Sequence, residues 1–125
     1  MPTFRVVLTL CSLMLLCLGS RTARGHAFPE RAEPRVGATV TVSPRRVRIW
    51  FDGILEPAFS HLHVQTAGGT RIDREDGRVD PHDLTLLEVG LPPLSSGTYR
   101  VIWSVVARDG HHTEGDYTFT VQQEH

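Results

Sequence analysis

Cysteine and methionine are scarce in this 125-residue sequence, and all four of these residues lie near its start. They are Cys11, Cys17, Met1 and Met14. The rest of the chain therefore has no disulfide, no thiolate ligand and no thioether ligand. A metal ion bound there must use imidazole, carboxylate or amine groups.

An excess of basic charge is also missing. The whole sequence has 13 Lys and Arg against 14 Asp and Glu, a formal net charge of −1. Without Arg5, Arg21 and Arg24, which lie in the predicted leader, ten basic residues remain against 14 acidic ones, a net charge of −4. This balance argues against nucleic-acid binding, which needs basic patches that displace counterions.

The first 25 residues have the pattern of an export signal. Arg5 precedes an almost unbroken apolar run over 6–18, and the small residues Ala23 and Gly25 stand just ahead of His26. We therefore expect a signal peptide over 1–25 and one mature domain over 26–125. The run is short for a membrane span, and no second hydrophobic segment follows it.

Two alternatives to this processing stay open. The leader could be retained as an N-terminal anchor, or the cut could fall after Ala27, which would remove His26. A lipid anchor on Cys17 is disfavoured because Leu16 precedes it, where a lipoprotein signal has a small residue.

The expected mature sequence has a β pattern throughout. No stretch of ten or more residues carries a convincing helical period, and turn-forming pairs recur between short, β-branched segments. The spacing predicts a sandwich of six or seven short antiparallel strands with Greek-key connections. The predicted strands are Ala38–Val42, Val47–Phe51, Leu62–Val64, Leu84–Val89, Tyr99–Val106 and Tyr117–Val121.

The last two of these segments form the clearest predicted hairpin. Apolar residues alternate along both, and the region 108–114 between them is predicted to be the turn. Trp103 lies on the apolar face of this hairpin. We expect it to be a buried core residue and not the neighbour of a cofactor.

Seven histidines, His26 among them, all follow the predicted leader. Once processed, His26 would offer two nitrogens from one residue, the α-amine and Nδ1. An α-amine has a pKa near 8, so a metal ion displaces its proton at little cost near neutral pH. Cu(II) favours such nitrogen-rich, tetragonal sites. His82, in a predicted loop between Pro81 and Asp83, and the terminal His125 are expected to be solvated surface.

Asp109-Gly110-His111 is the second candidate for metal binding. In an extended segment, side chains at i and i+2 project to the same side with Cα atoms about 6.5–7 Å apart, so the carboxylate and the imidazole could meet on one ion. Gly110 permits the bend that such convergence would need. The alternative is an ordinary Asp-Gly turn with a surface histidine.

The other histidines are weaker candidates. His61 and His63 flank Leu62 on a predicted strand and face the same way, which suits either weak divalent binding or a solvated face. We favour the solvated face. His112 adjoins His111 but would point elsewhere in an extended segment.

Several segments in order resemble the CopC family of periplasmic copper-binding proteins. The resemblance covers essentially the whole mature chain. Its elements are His26-Ala27, Pro34, Gly37-Ala38, the strand from Ser43 to Phe51, Glu56-Pro57-Ala58-Phe59, the run from Gly97 to Val106, Asp109-Gly110-His111, Gly115 and Tyr117–Val121.

The resemblance implies a seven-stranded, all-β Greek-key barrel or sandwich, cupredoxin-like or immunoglobulin-like in appearance. It also implies one Cu(II) per chain, with His26, Asp109 and His111 as its ligands. The family often has an acid at the position of Gly53, so a supporting role for the adjacent Asp52 is doubtful. Without a mature methionine, the chain resembles the members that bind only Cu(II).

The function that follows is a copper carrier or buffer of the cell envelope, in the periplasm or otherwise outside the cytoplasm. We expect a monomer without enzymatic activity, with an inner-membrane copper transporter as a possible partner. One alternative is a copper monooxygenase with an N-terminal histidine brace. Another is an immunoglobulin-like structural module without metal.

Overall fold

A computed structural model describes residues 27–124. The predicted signal peptide over 1–25, the candidate ligand His26 and the terminal His125 lie outside the described residues. Within residues 27–124, no helix has the length and apolar character needed to cross a membrane.

Eight strands form two four-stranded sheets in the described chain. One sheet has the order β1-β3-β6-β5 and the other β2-β8-β7-β4. The chain passes repeatedly from one sheet to the other, and only β5–β6 and β7–β8 are consecutive neighbours within a sheet. The strands are β1 (Pro29–Glu33), β2 (Thr39–Val40), β3 (Arg46–Phe51), β4 (His61–Thr66), β5 (Arg78–Asp80), β6 (Asp83–Gly90), β7 (Gly97–Val106) and β8 (His112–Val121).

The predicted all-β sandwich is confirmed, with differences in detail. The described strands number eight: the six predicted segments correspond to β2, β3, β4, β6, β7 and β8, and β1 and β5 were not predicted. Strand β2 pairs with β8 in parallel, whereas the prediction was fully antiparallel. The other strand pairs are antiparallel.

The core lies between the two sheets and is built by alternating residues. Val47, Ile49 and Phe51 of β3 are buried on one face, as their spacing predicts. Trp103 is also buried, and its ring meets Phe51 edge to face with centroids 5.3 Å apart. Trp103 is therefore a core residue, as the sequence favoured.

One end of the sandwich is closed by the segment between β3 and β4. Its backbone runs along the end of β7: Glu56 N–H donates to the Val106 carbonyl at 2.8 Å, and Arg108 N–H donates to the Ile54 carbonyl at 2.9 Å. A single 3-10 turn, Pro57–Phe59, completes the segment. These bonds fix the base of the turn that joins β7 to β8.

Candidate metal centre

The turn between β7 and β8 is compact. Gly110 N–H donates to the Ala107 carbonyl at 2.8 Å, and Ala107 N–H donates to the His111 carbonyl at 2.9 Å. Gly110 has φ +91°, in the left-handed region that glycine adopts without a Cβ penalty. The predicted turn over 108–114 was too long at its far end, because β8 already begins at His112.

This turn brings Asp109 and His111 together. His111 Nδ1 lies 2.8 Å from Asp109 Oδ2, and the His111 backbone N–H donates to Asp109 Oδ1 at 3.0 Å. The two side chains are 35% and 54% exposed, so an ion can reach them from solvent. The two side chains converge as predicted, but they do so in a tight Asp-Gly turn with an exposed histidine and not in an extended segment.

The spacing of these two atoms suits a shared metal ion. Ligands bound at about 2.0 Å and at right angles are about 2.8 Å apart, which is the edge of a tetragonal coordination square. Nδ1 and Oδ2 already stand at that separation. Because the hydrogen bond directs Nδ1 straight at Oδ2, a metal ion about 2.0 Å from both atoms would lie off that line, and the two exposed side chains would have to turn toward it.

The start of the described chain lies beside the same turn. Ala27 is fully buried, and its carbonyl accepts a hydrogen bond from Thr113 Oγ at 2.7 Å. Thr113 lies on β8 two positions beyond His111. The residue that precedes Ala27 in the chain is the predicted third ligand, His26, which lies outside the described residues.

Asp52 forms hydrogen bonds with Phe28, the next residue of this segment. Its Oδ1 accepts from Phe28 N–H at 2.7 Å, and its own N–H donates to the Phe28 carbonyl at 2.9 Å. From the sequence, a supporting role for Asp52 was doubtful, and no role was predicted for Thr113. An Asp-Gly pair indicates a turn, but no local spacing indicates that its carboxylate binds a backbone 24 residues away.

The remaining described histidines lie away from this pair. His82 is exposed in the turn between β5 and β6, where its N–H donates to Asp80 Oδ1 at 2.7 Å. His112 Nε2 lies 2.7 Å from Ser104 Oγ and so points away from the Asp109–His111 contact, as expected. His61 and His63 are both exposed on β4.

Within residues 27–124, no three His, Cys, Asp or Glu side chains are grouped closely enough to hold a metal ion as they stand. The described part of the candidate centre is therefore a pair of ligands, Asp109 and His111. The predicted third ligand, His26, lies outside the described residues.

Comparisons with known proteins point to one family. The model of the CopC domain matches residues 30–122. Protein YobA from Escherichia coli (strain K12) is 34% identical over 98 residues, which are 78% of this chain and 79% of that protein. Copper resistance protein C from Xanthomonas campestris pv. juglandis is 27% identical over 128 residues, covering 98% of this chain and 100% of that protein. The crystal structure of CopC from Methylosinus trichosporium OB3b matches with a TM-score of 0.71 and 30% identity, covering 80% of this chain and 97% of that one.

Proposed function

Because this chain belongs to the CopC family, we propose that it binds one Cu(II) ion through His26, Asp109 and His111 and carries or buffers copper outside the cytoplasm. The observation that carries the proposal is the 2.8 Å contact between Asp109 Oδ2 and His111 Nδ1 beside the anchored N-terminal segment. Copper is the cargo of this site.

The donor set suits Cu(II). Removal of residues 1–25 would give His26 a free α-amine, which supplies two nitrogens together with its imidazole. His111 adds a third nitrogen and Asp109 an oxygen. Four such donors fill the tetragonal positions that Cu(II) favours, and no sulfur is present to favour Cu(I). Because protons compete for all four donors, acid should release the ion.

A binding role fits this geometry better than oxygen chemistry. A copper monooxygenase with a histidine brace keeps coordination positions open for oxygen. Here the Asp109 carboxylate lies next to the imidazole of His111 and would fill one of them. We therefore propose a monomeric, non-enzymatic carrier that passes copper to, or receives it from, an inner-membrane transporter.

Substitution of the two described ligands tests the proposal. We expect Asp109→Asn and His111→Ala each to weaken Cu(II) binding by at least about tenfold. Replacing even a residue that only hydrogen-bonds to a metal ligand typically lowers metal affinity by about that factor. Affinity is measured by competition with a chelator, and the coordination is followed by electron paramagnetic resonance.

His82→Ala is the matched control, since it removes one exposed imidazole from the turn between β5 and β6, which belong to the other sheet. Unchanged affinity and an unchanged spectrum in Asp109→Asn and His111→Ala would contradict the proposed site.

A further inference from the structure

We propose a second, weaker site for a borderline divalent cation such as Zn(II), Ni(II) or Cu(II), formed by His61, His112 and Glu114 on the outer face of the sheet β2-β8-β7-β4. It is independent of the Cu(II) site proposed above and shares no ligand with it. His61 and His112 are 51 positions apart in sequence, and the pairing of three strands brings them to one surface.

Ser104 lies at the centre of this surface. On β7 it pairs with His61 of β4 on one side and with Glu114 of β8 on the other. His61 and Glu114 are exposed. Side chains of residues that pair directly across strands lie on the same face of a sheet, so all three project outward over one row.

His112 reaches into the same row from the neighbouring outward-facing position of β8, two residues before Glu114. Its Nε2 lies 2.7 Å from Ser104 Oγ and 3.9 Å from Glu114 Oε2. The ring therefore extends from β8 over the small serine toward β4, where His61 stands. A larger residue at position 104 would fill the space between the two imidazoles.

The distances allow the two rings to share an ion. Cβ atoms of directly paired residues are about 4.5–5.5 Å apart, so the His61 ring needs to reach only about its own length to approach the Ser104 hydroxyl. Imidazole nitrogens bind zinc at about 2.0–2.1 Å. The three ligands are not grouped as they stand, so binding requires rotation of exposed side chains and is correspondingly weak.

The neighbouring row is a poorer site. There His63 and Asp116 lie on either side of Ile102, which is bulky and apolar. Asp116 also pairs with Arg100, whose Nε is 2.8 Å from its Oδ2. By contrast, Glu114 is 74% exposed, and the side chain that its carboxylate approaches, at 3.9 Å, is that of His112 itself. The row of Ser104 is therefore favoured over the His61–His63 pair.

The test is a Zn(II) titration of the processed chain, followed by NMR of the histidine ring nitrogens, which reports each imidazole separately. We expect the rings of His61 and His112 to shift together along one binding curve. His61→Gln should move the midpoint for His112 to at least about tenfold higher Zn(II), and His112→Gln should do the same for His61.

His63→Gln is the matched control, because it removes an exposed imidazole from the same strand and face. It should leave the curves of His61 and His112 unchanged. If His63→Gln weakens binding as much as His61→Gln does, the proposal is overturned. The ion would then be bound by His61 and His63 of β4. Separate midpoints for His61 and His112, or no shift of either ring up to about 1 mM Zn(II), would also overturn it.

Discussion

At the scale of single residues, Thr113 and Asp52 fix the point at which the chain enters the sandwich. Thr113 holds the carbonyl of Ala27, and Asp52 holds both backbone polar groups of Phe28. Neither side chain is a proposed ligand. Their effect is to fix the backbone of Ala27 and Phe28, and a proposed ligand attached to a fixed backbone would bind metal more tightly than one that must be ordered on binding.

Thr113→Val tests this positioning role. The substitution nearly preserves shape but removes the hydroxyl that donates to a fully buried carbonyl. We expect Cu(II) affinity to fall about tenfold, with a loss of about 1–3 kcal/mol in the free energy of unfolding from the unpaired carbonyl. Chelator competition and urea unfolding measure the two effects.

Thr118→Val is the control, since it changes an exposed threonine on the outer face of the same strand. A fall in stability without a change in copper affinity would show that Thr113 serves the fold alone.

Asp73 is a second residue whose role is local. Its side chain is fully buried and accepts hydrogen bonds from Val64 N–H and Glu75 N–H, each at 2.8 Å, and from the Arg71 guanidinium. Burial alone would raise the pKa of Asp73. The hydrogen bonds from Arg71 and from the two backbone N–H groups outweigh burial, so its pKa lies below the usual value.

Asp73→Ala should lower the free energy of unfolding by about 2–3 kcal/mol at neutral pH, because a buried N–H and a guanidinium lose their partner. A carboxyl with a depressed folded pKa stabilises the fold above its unfolded pKa of about 3.9 and stops doing so as pH falls through the folded value. The difference from the unsubstituted chain should therefore be constant near neutral pH and shrink below about pH 4.

Urea unfolding at several pH values measures this difference. Glu75→Gln is the control, because that exposed carboxylate meets Arg71 only at 3.8 Å and should contribute little. A difference that stays the same at low pH would contradict the account.

At the scale of elements, the β7–β8 hairpin positions the proposed ligands, and its packing depends on one glycine. A Cβ on Gly115 would lie 2.6 Å from a ring carbon of Trp103. Trp103 pairs with Gly115 across the hairpin and is buried against Phe51, so it has little room to move. The strand can bear no side chain at this position without displacing the core.

Gly115→Ala should lower the free energy of unfolding by about 1–3 kcal/mol through overpacking, measured by thermal or urea unfolding. Gly68→Ala is the control, because its added Cβ would meet only Thr66 Oγ, at an ordinary 3.8 Å. Equal effects of the two substitutions would mean that the contact with Trp103 is not what constrains position 115.

The elements also show which parts of the fold the sequence predicts. Strands β3, β7 and the second half of β8 alternate apolar and polar residues because one face of each is buried, and all three were predicted. Strand β1 has four exposed residues out of five, so it lacks this alternation. It is held by pairing with β3 and by the Arg31 guanidinium, which lies 3.8 Å from the ring centre of Trp50. Such a strand has no periodic pattern in its own sequence.

At the scale of the whole molecule, the proposed copper site lies where distant parts of the chain meet. The start of the domain, the segment after β3 and the β7–β8 turn converge at one end of the sandwich. The contact between Asp109 and His111 could be predicted because the two residues are only two positions apart. The contacts of Asp52 and Thr113 could not, because their partners are 24 and 86 positions away.

The same limit applies to the outer face. His61 and His63 were recognisable as a pair because they are neighbours on one strand. That His61 and His112 lie on one outer face on either side of β7 depends on the register of three strands, which no local sequence pattern indicates.

The central claim is that the processed amine and imidazole of His26 complete a Cu(II) site with Asp109 and His111. The most direct test is a Cu(II) titration of the processed chain, its N-terminus established by mass spectrometry, beside a chain with one extra residue ahead of His26. The account predicts one tight equivalent with a nitrogen-rich electron paramagnetic resonance spectrum, lost in the extended chain because the α-amine is then a peptide nitrogen. Equal affinity and equal spectra for the two chains would contradict it.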